Sequence, residues 1–269
     1  MLTNQNQTIR CFILVKAYPQ PSQQYQETVC VAAISEDGQQ LLRLYPIRYR
    51  HLSHEKKFKR FDLLELKVSP APKDKRPESF KVDEDSIKIL TAGSDCTAES
   101  KASIWLNLVY PHSLTELKDE QTRTLKSLAI IKPNEGTVKF SYKKATEAPP
   151  DDLDYAKGVQ AQCNLFEADN LKALEPIEYI FYMTFYSGDH EKPHHMQIHD
   201  WEVQETYRQY KKKYKDDALK KMEAFYGNDL LKLNPHFIMG NLGSRPYQFM
   251  IIGILRTHHI YLEKQPSLF

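Results

Sequence analysis

The run IEYIFYMTFY (Ile177–Tyr186), continuing through HEKPHHMQIHDWE (His190–Glu202) into a long amphipathic stretch to Tyr226, decides how this chain is read. Its first ten residues are dense in aromatic and β-branched side chains, the composition of a buried strand. From Asp200 onward the period changes. Val203, Tyr207, Tyr210, Tyr214, Ala218, Met222 and Phe225 recur at three- and four-residue steps, which is one face of an α-helix, and Gly227 is placed to stop it. His236–Gly240 and Phe249–Leu255 then read as two strands joined across the turn-rich segment Asn241–Pro246. A strand, a long helix and two strands make a C-terminal α+β unit.

The histidine-rich segment inside this unit holds four of the ten histidines of the chain. With a helix starting near Ile198, His195 and His199 lie one turn apart, and Asp200 and Glu202 fall in the first turn. Two readings compete. Acids in a first turn complement the helix dipole, and histidines after Gly188-Asp189 are ordinary in a solvated loop. Alternatively the cluster is a metal site, since imidazole and carboxylate together accept zinc, manganese or iron. His195, His199 and Asp200 would then hold a divalent metal, with His194 or Glu202 as general base on water. That is a metal-dependent, nuclease-like hydrolase, although the spacing is not the H-E-x-x-H of zinc proteases.

Towards the N-terminus the pattern is β. Ile9–Tyr18, Thr28–Ile34, Leu41–Ile47 and Phe61–Val68 read as strands, with Glu36-Asp37-Gly38 as a hairpin turn. Four short strands with tight links predict a small sheet or partly closed barrel. A Pro-rich charged loop (69–77) precedes Phe80–Leu90. The middle reads as helical: Ser94–Tyr110 around Trp105, then a helix opened by the capping box Ser113-x-x-Glu116 and running to Ile130, before Pro133. Thr137–Tyr142 reads as a strand. The Pro pair and acid run of 146–155 mark a linker between a β-rich domain (1–145) and an α+β domain (156–269), or a bend within one continuous domain.

No apolar run reaches the roughly 18 residues of a membrane span. Met1–Gln7 lacks the basic and apolar regions of a secretory signal, and the four cysteines are widely spaced without a CxxC pair. These features predict a cytoplasmic protein with reduced thiols. The net charge of +2 is unevenly spread: Arg43–Arg60 carries seven Lys or Arg against one acid, and Glu147–Asp169 six acids against one Lys. In the basic segment cations alternate with aromatics, the chemistry that neutralises phosphates and stacks on unpaired bases, each base at about 1–3 kcal/mol. Arg43, Arg48, Arg50, Lys57 and Arg60 are the candidate phosphate contacts, and Tyr45 and Tyr49 the candidate stacking surfaces. Arg208 and Lys212, opposite the tyrosine stripe of the long helix, add a second basic surface. A solvated charged face with Tyr45, Phe58 and Phe61 in the core is the competing account.

Three segments together carry a resemblance: Glu27-Thr-Val-Cys30 with Leu42-Arg-Leu-Tyr-Pro-Ile47, Arg76-Pro-Glu-Ser79, and His199-Asp-Trp-Glu202 with Phe237-x-x-Gly-Asn241. The chain resembles a family of uncharacterised bacterial and archaeal proteins over most of its length. The resemblance implies one shared architecture and no particular chemistry. In the family pattern a cysteine precedes the His-Asp-Trp-Glu region, and Tyr182–Tyr186 supplies none here.

The expectation from these residues is an α+β protein: a β-rich N-terminal half, a helical middle and a C-terminal strand–helix–strand unit. Its leading function is nucleic-acid binding, as an accessory factor in DNA or RNA metabolism or in defence against foreign nucleic acid. The alternatives are the metal-dependent hydrolase and a non-catalytic subunit that contacts a protein partner in a larger assembly.

Overall fold

The computed structural model describes residues 6–22, 25–148, 175–189 and 192–257. His190 and residues 149–155 of the expected linker lie outside these.

The N-terminal half is a closed barrel. Its strands are β1 (Gln7–Lys16), β3 (Gln26–Ser35), β4 (Leu41–Ile47), β5 (Leu63–Pro70) and β6 (Ser79–Val82), paired in the order β1-β3-β4-β6-β5 and closed by β1 on β5. A short strand, β2 (Gln20–Ser22), extends β3, and β7 (Lys88–Thr91) flanks β5. Among the described barrel strands only β4 and β6 run parallel. Counting barrel strands alone, the order is 1-2-3-5-4-1 with the third and fifth parallel, the Greek-key topology of an OB barrel. Closure depends on β1 serving two neighbours. Its first half pairs with β5 and its second half with β3, and a bulge between Ile13 and Val15 bends the strand between the two. Alternation then sorts the side chains. Ile13, Val29, Val31, Leu42, Leu44, Leu66 and Phe80 fill the barrel, while Leu14, Val15, Ala32 and Ile34 face outward yet are buried.

What buries them is the C-terminal unit. After α1 (Ala98–Ser103), helix α2 (Leu114–Thr124) starts at Ser113 with both bonds of the expected capping box present. Strands β8 (Leu128–Ile131), β12 (Pro235–Leu242) and β13 (Arg245–Arg256) form one antiparallel sheet, and β9 (Lys139–Lys144), β10 (Tyr179–Phe185) and β11 (His194–Gln197) a second. A parallel bridge between Ile198 and Ile251 joins the two sheets. Helices α3 (Trp201–Tyr214) and α4 (Ala218–Ala224) lay Val203, Tyr207 and Met222 into the core between them, with Phe181, Phe185 and Phe237. The outer face of the first sheet lies on the barrel: Leu128, Ile130, Ile238, Ile252 and Leu255 meet Leu14, Val15, Ala32 and Ile34, with Trp105 fully buried among them. The approach is closest at Gly253, where a Cβ would stand 2.7 Å from a Val15 methyl, so this position requires glycine.

The architecture is α+β as expected, with several local departures. Ser94–Tyr110 is not one helix but a six-residue helix and 3-10 turns, because Trp105 is drawn into the joint between barrel and sheet. The helix from Ser113 ends at Leu125 in a left-handed conformation, and Leu128–Ile131, buried throughout, becomes a strand against β12. The long helix breaks at Lys215, whose φ of 49° leaves the helical region. His194–Gln197 is a strand rather than a loop, and Asp200 is the N-cap of α3 rather than part of its first turn.

Candidate functional site

Three clusters of charged side chains between barrel and C-terminal unit, around Arg43 and Glu78, Arg76, and Arg60 with Asp200, explain most of the motifs that stand out in the sequence. Arg43, on β4, is 3% exposed and donates to the Ser127 hydroxyl (3.1 Å) and carbonyl (3.0 Å) and to Cys30 Sγ (3.1 Å). Glu78 accepts from the Ser127 backbone N–H (2.9 Å) and hydroxyl (3.1 Å), which holds the start of β8 on the barrel. Arg76 is oriented by Asp74 (2.7 Å) and donates to the Asn241 carbonyl (2.7 Å), while Asn241 Nδ2 donates to the Pro246 carbonyl (2.7 Å). Arg60 donates to Asp200 Oδ2 (3.0 Å) and to the Ile254 carbonyl (2.7 Å), and Asp200 also accepts from the backbone N–H groups of Glu202 (3.0 Å) and Ile254 (3.1 Å). Burial pushes the Asp200 carboxyl up, and the Arg60 guanidinium with the two N–H donors pulls it back.

The arginines among the candidate phosphate contacts of the sequence are therefore all paired with groups of the protein itself. Arg43 and Arg60 belong to the joint. Arg48 pairs with Glu84 (2.8 Å), and Arg50 with the buried Glu27 (3.0 Å). Arg208 pairs with Glu175 (3.2 Å) and Glu205 and donates to Tyr18 Oη (2.6 Å). Tyr45 is 39% exposed and accepts from Thr28 (3.2 Å). Tyr49 packs edge-on against Phe58 and Trp201 and under the Lys16 ammonium, 4.4 Å from the ring centre, so its face is taken. Lys57 and Lys212 are exposed and unpaired among the described residues, and neither lines either of the two large cavities.

The hydrolase set is not assembled either. His195 hydrogen-bonds Thr184 through Nδ1 (2.8 Å) and lies flat on Tyr182 (centroids 4.8 Å apart, planes 13° apart). His194, on the opposite face of β11, meets Ser187 (3.1 Å) and Phe185. Burial lowers the His199 imidazole to about 4, so it is neutral at physiological pH. Asp200 is committed to Arg60. Glu202 lines a different hollow, of about 210 Å³, with Lys16, Arg60 and Glu205, where burial brings the Lys16 ammonium down to about 8. Among the described residues no three His, Cys, Asp or Glu side chains converge as metal ligands.

What the histidines do share is a cleft of about 760 Å³. Its floor is the outer face of the second and third barrel strands at Cys30 and Arg43, continued by Ala17, Tyr18 and Gln20 of the connection between the first and second barrel strands. One wall is β11, with His194, His195 and Gln197. The other is the β12–β13 hairpin, with Arg245, Tyr247 and Phe249, and Lys118 of α2 reaches the rim. Among the described residues this cleft is lined by no Asp or Glu, although the chain has 35. The other large cavity, about 870 Å³ beside β5 and β6, sets Arg48, Lys67 and Lys81 against Asp83, Glu84 and Asp85. Its polar lining is thus made of basic and neutral groups, Arg43, Lys118 and Arg245 among them, with no carboxylate among the described residues.

Lys118, Arg245 and Tyr247 do not stand out in the sequence. Tyr247 is 65% exposed, the most exposed large hydrophobic side chain among the described residues, at the end of a loop whose Gly-Ser-Arg-Pro reads only as a turn. An aromatic beside an arginine at a hairpin tip is the signal that was available.

Residues 111–269, well over half of the chain, match the family model described as Domain of unknown function (DUF8757). The chain belongs to the DUF8757 family. Residues 7–107 match a second model, Domain of unknown function (DUF8758). No curated protein matches the chain. The DUF8757 match thus starts just before α2 and takes in both sheets, and the second match takes in the barrel, so the cleft is built from both matched regions. No helix among the described residues is long and apolar enough to cross a membrane.

Proposed function

We propose that this protein binds nucleic acid in the cleft between the barrel and the β12–β13 hairpin. The observation that carries this reading is the carboxylate-free lining, in which Lys118 and Arg245 supply positive charge and Tyr247 and the His195–Tyr182 pair supply flat rings. Phosphates require the first and bases the second. The topology gives independent support by analogy. OB barrels bind oligonucleotides on their second and third strands and on the loops after the first and fourth. Here the strand face and the first loop floor the cleft, whereas the loop after the fourth strand is used by Arg76 to hold the hairpin. The protein would act as an accessory factor in DNA or RNA metabolism or in defence, holding a strand rather than cutting it. A cytoplasmic setting suits its free thiols, one of them (Cys11) inside the barrel core.

Fluorescence anisotropy with labelled DNA and RNA oligonucleotides at several salt concentrations tests the reading. Lys118 and Arg245 together set the log–log salt slope on a single strand at no steeper than about −1.4. Binding that is absent, or indifferent to salt, contradicts it.

A further inference from the structure

We infer that the cleft selects a short unpaired segment, of about two nucleotides, and excludes the duplex. This deepens the nucleic-acid reading and rests on it. Three observations lead there. Tyr247 projects 65% of its surface into solvent at the cleft mouth, and the exposed His195 ring lies parallel on Tyr182 within the cleft. Such rings find a partner on a base whose face is free, and in a duplex both faces of each internal base are covered by its neighbours. Second, the volume of about 760 Å³ falls in the range of small-ligand pockets, about 300–1,000 Å³, not of a groove that tracks a double helix.

Third, the cleft is not built to widen. The hairpin wall is tied to the barrel by Arg76 on Asn241 (2.7 Å), and β13 lies against β1 at Gly253 with no room for a Cβ. With Lys118 and Arg245 as the cations of its lining beside the buried Arg43, the cleft can engage at most about two phosphates. His199 is neutral and fixed in the backbone through Ile251 and Tyr18, so it adds shape rather than charge.

The test is a ladder of labelled dT and rU oligonucleotides of two, four, eight and sixteen residues, with a blunt duplex, titrated by anisotropy against wild type and Tyr247→Ala. The inference predicts affinity that levels off by four residues apart from the statistical gain of extra registers. It also predicts duplex binding at least tenfold weaker, and about a tenfold loss for Tyr247→Ala on single strands with an unchanged melting temperature. Affinity that keeps climbing to sixteen residues, duplex binding equal to single-strand binding, or an indifferent Tyr247→Ala overturns the inference while leaving nucleic-acid binding in place. Binding to none of these ligands overturns both.

Discussion

Asp200→Ala is expected to destabilise the fold by about 3–5 kcal/mol, the cost of stranding a buried charge by removing its partner. Asp200 is 1% exposed and receives three donors from three parts of the chain: Arg60 after the barrel's third strand, Glu202 at the start of α3, and Ile254 on β13. Without it the Arg60 guanidinium keeps the Ile254 carbonyl and only the more exposed Glu202 as its anion (3.2 Å). Asp200→Asn retains an acceptor for the backbone donors and should cost less. The double change Arg60→Met with Asp200→Leu removes both charges and should recover much of the loss, since an apolar pair has no desolvation to offset. Denaturant unfolding of the three variants checks this. A loss below about 1 kcal/mol for Asp200→Ala would mean that the joint is held by the apolar contacts alone.

The second large effect concerns binding. Reversing the two cleft cations Lys118 and Arg245, Lys118→Glu with Arg245→Glu, places two carboxylates in a lining that has none among the described residues. Affinity for a single-stranded oligonucleotide is expected to fall about a hundredfold, or ~2.7 kcal/mol. The matched control is Lys57→Glu with Lys212→Glu, which reverses the same number of charges on exposed residues outside the cleft. That control should bind within about twofold of wild type. Equal losses in the two doubles would indicate a response to net charge alone.

The contrast between these variants shows where local sequence informs and where it cannot. The apolar, β-rich runs at 9–18 and 28–34 and the alternating runs at 41–47 and 61–68 identify barrel strands, because their composition and period are local signals. The capping box at Ser113 locates its helix to the residue, because both of its bonds are local. Failures came where a distant partner decides. Leu128–Ile131 continues a helical stretch in sequence but is claimed by β12 over a hundred residues later. The basic run 43–60 reads as a solvent surface, yet its arginines answer Ser127, Glu84, Glu27 and Asp200. Arg76 finds Asn241 across a separation of 165 residues. The Leu-Arg-Leu-Tyr-Pro-Ile, Arg-Pro-Glu-Ser and His-Asp-Trp-Glu segments hold the two halves together, and the proposed binding cleft lies beside them. The histidine cluster marked the neighbourhood of that cleft. Its meaning as one wall opposite Tyr247 depends on the fold.

The most direct measurement is photo-crosslinking of a 4-thiouracil-containing oligonucleotide to the intact protein, followed by mass spectrometry of the adducted peptides. Adducts on the peptides carrying Tyr247 and His195, competed away by unlabelled single strand, are the predicted result. Adducts confined to Arg48–Lys57 or Lys211–Lys215, with the hairpin and β11 unlabelled, would contradict it.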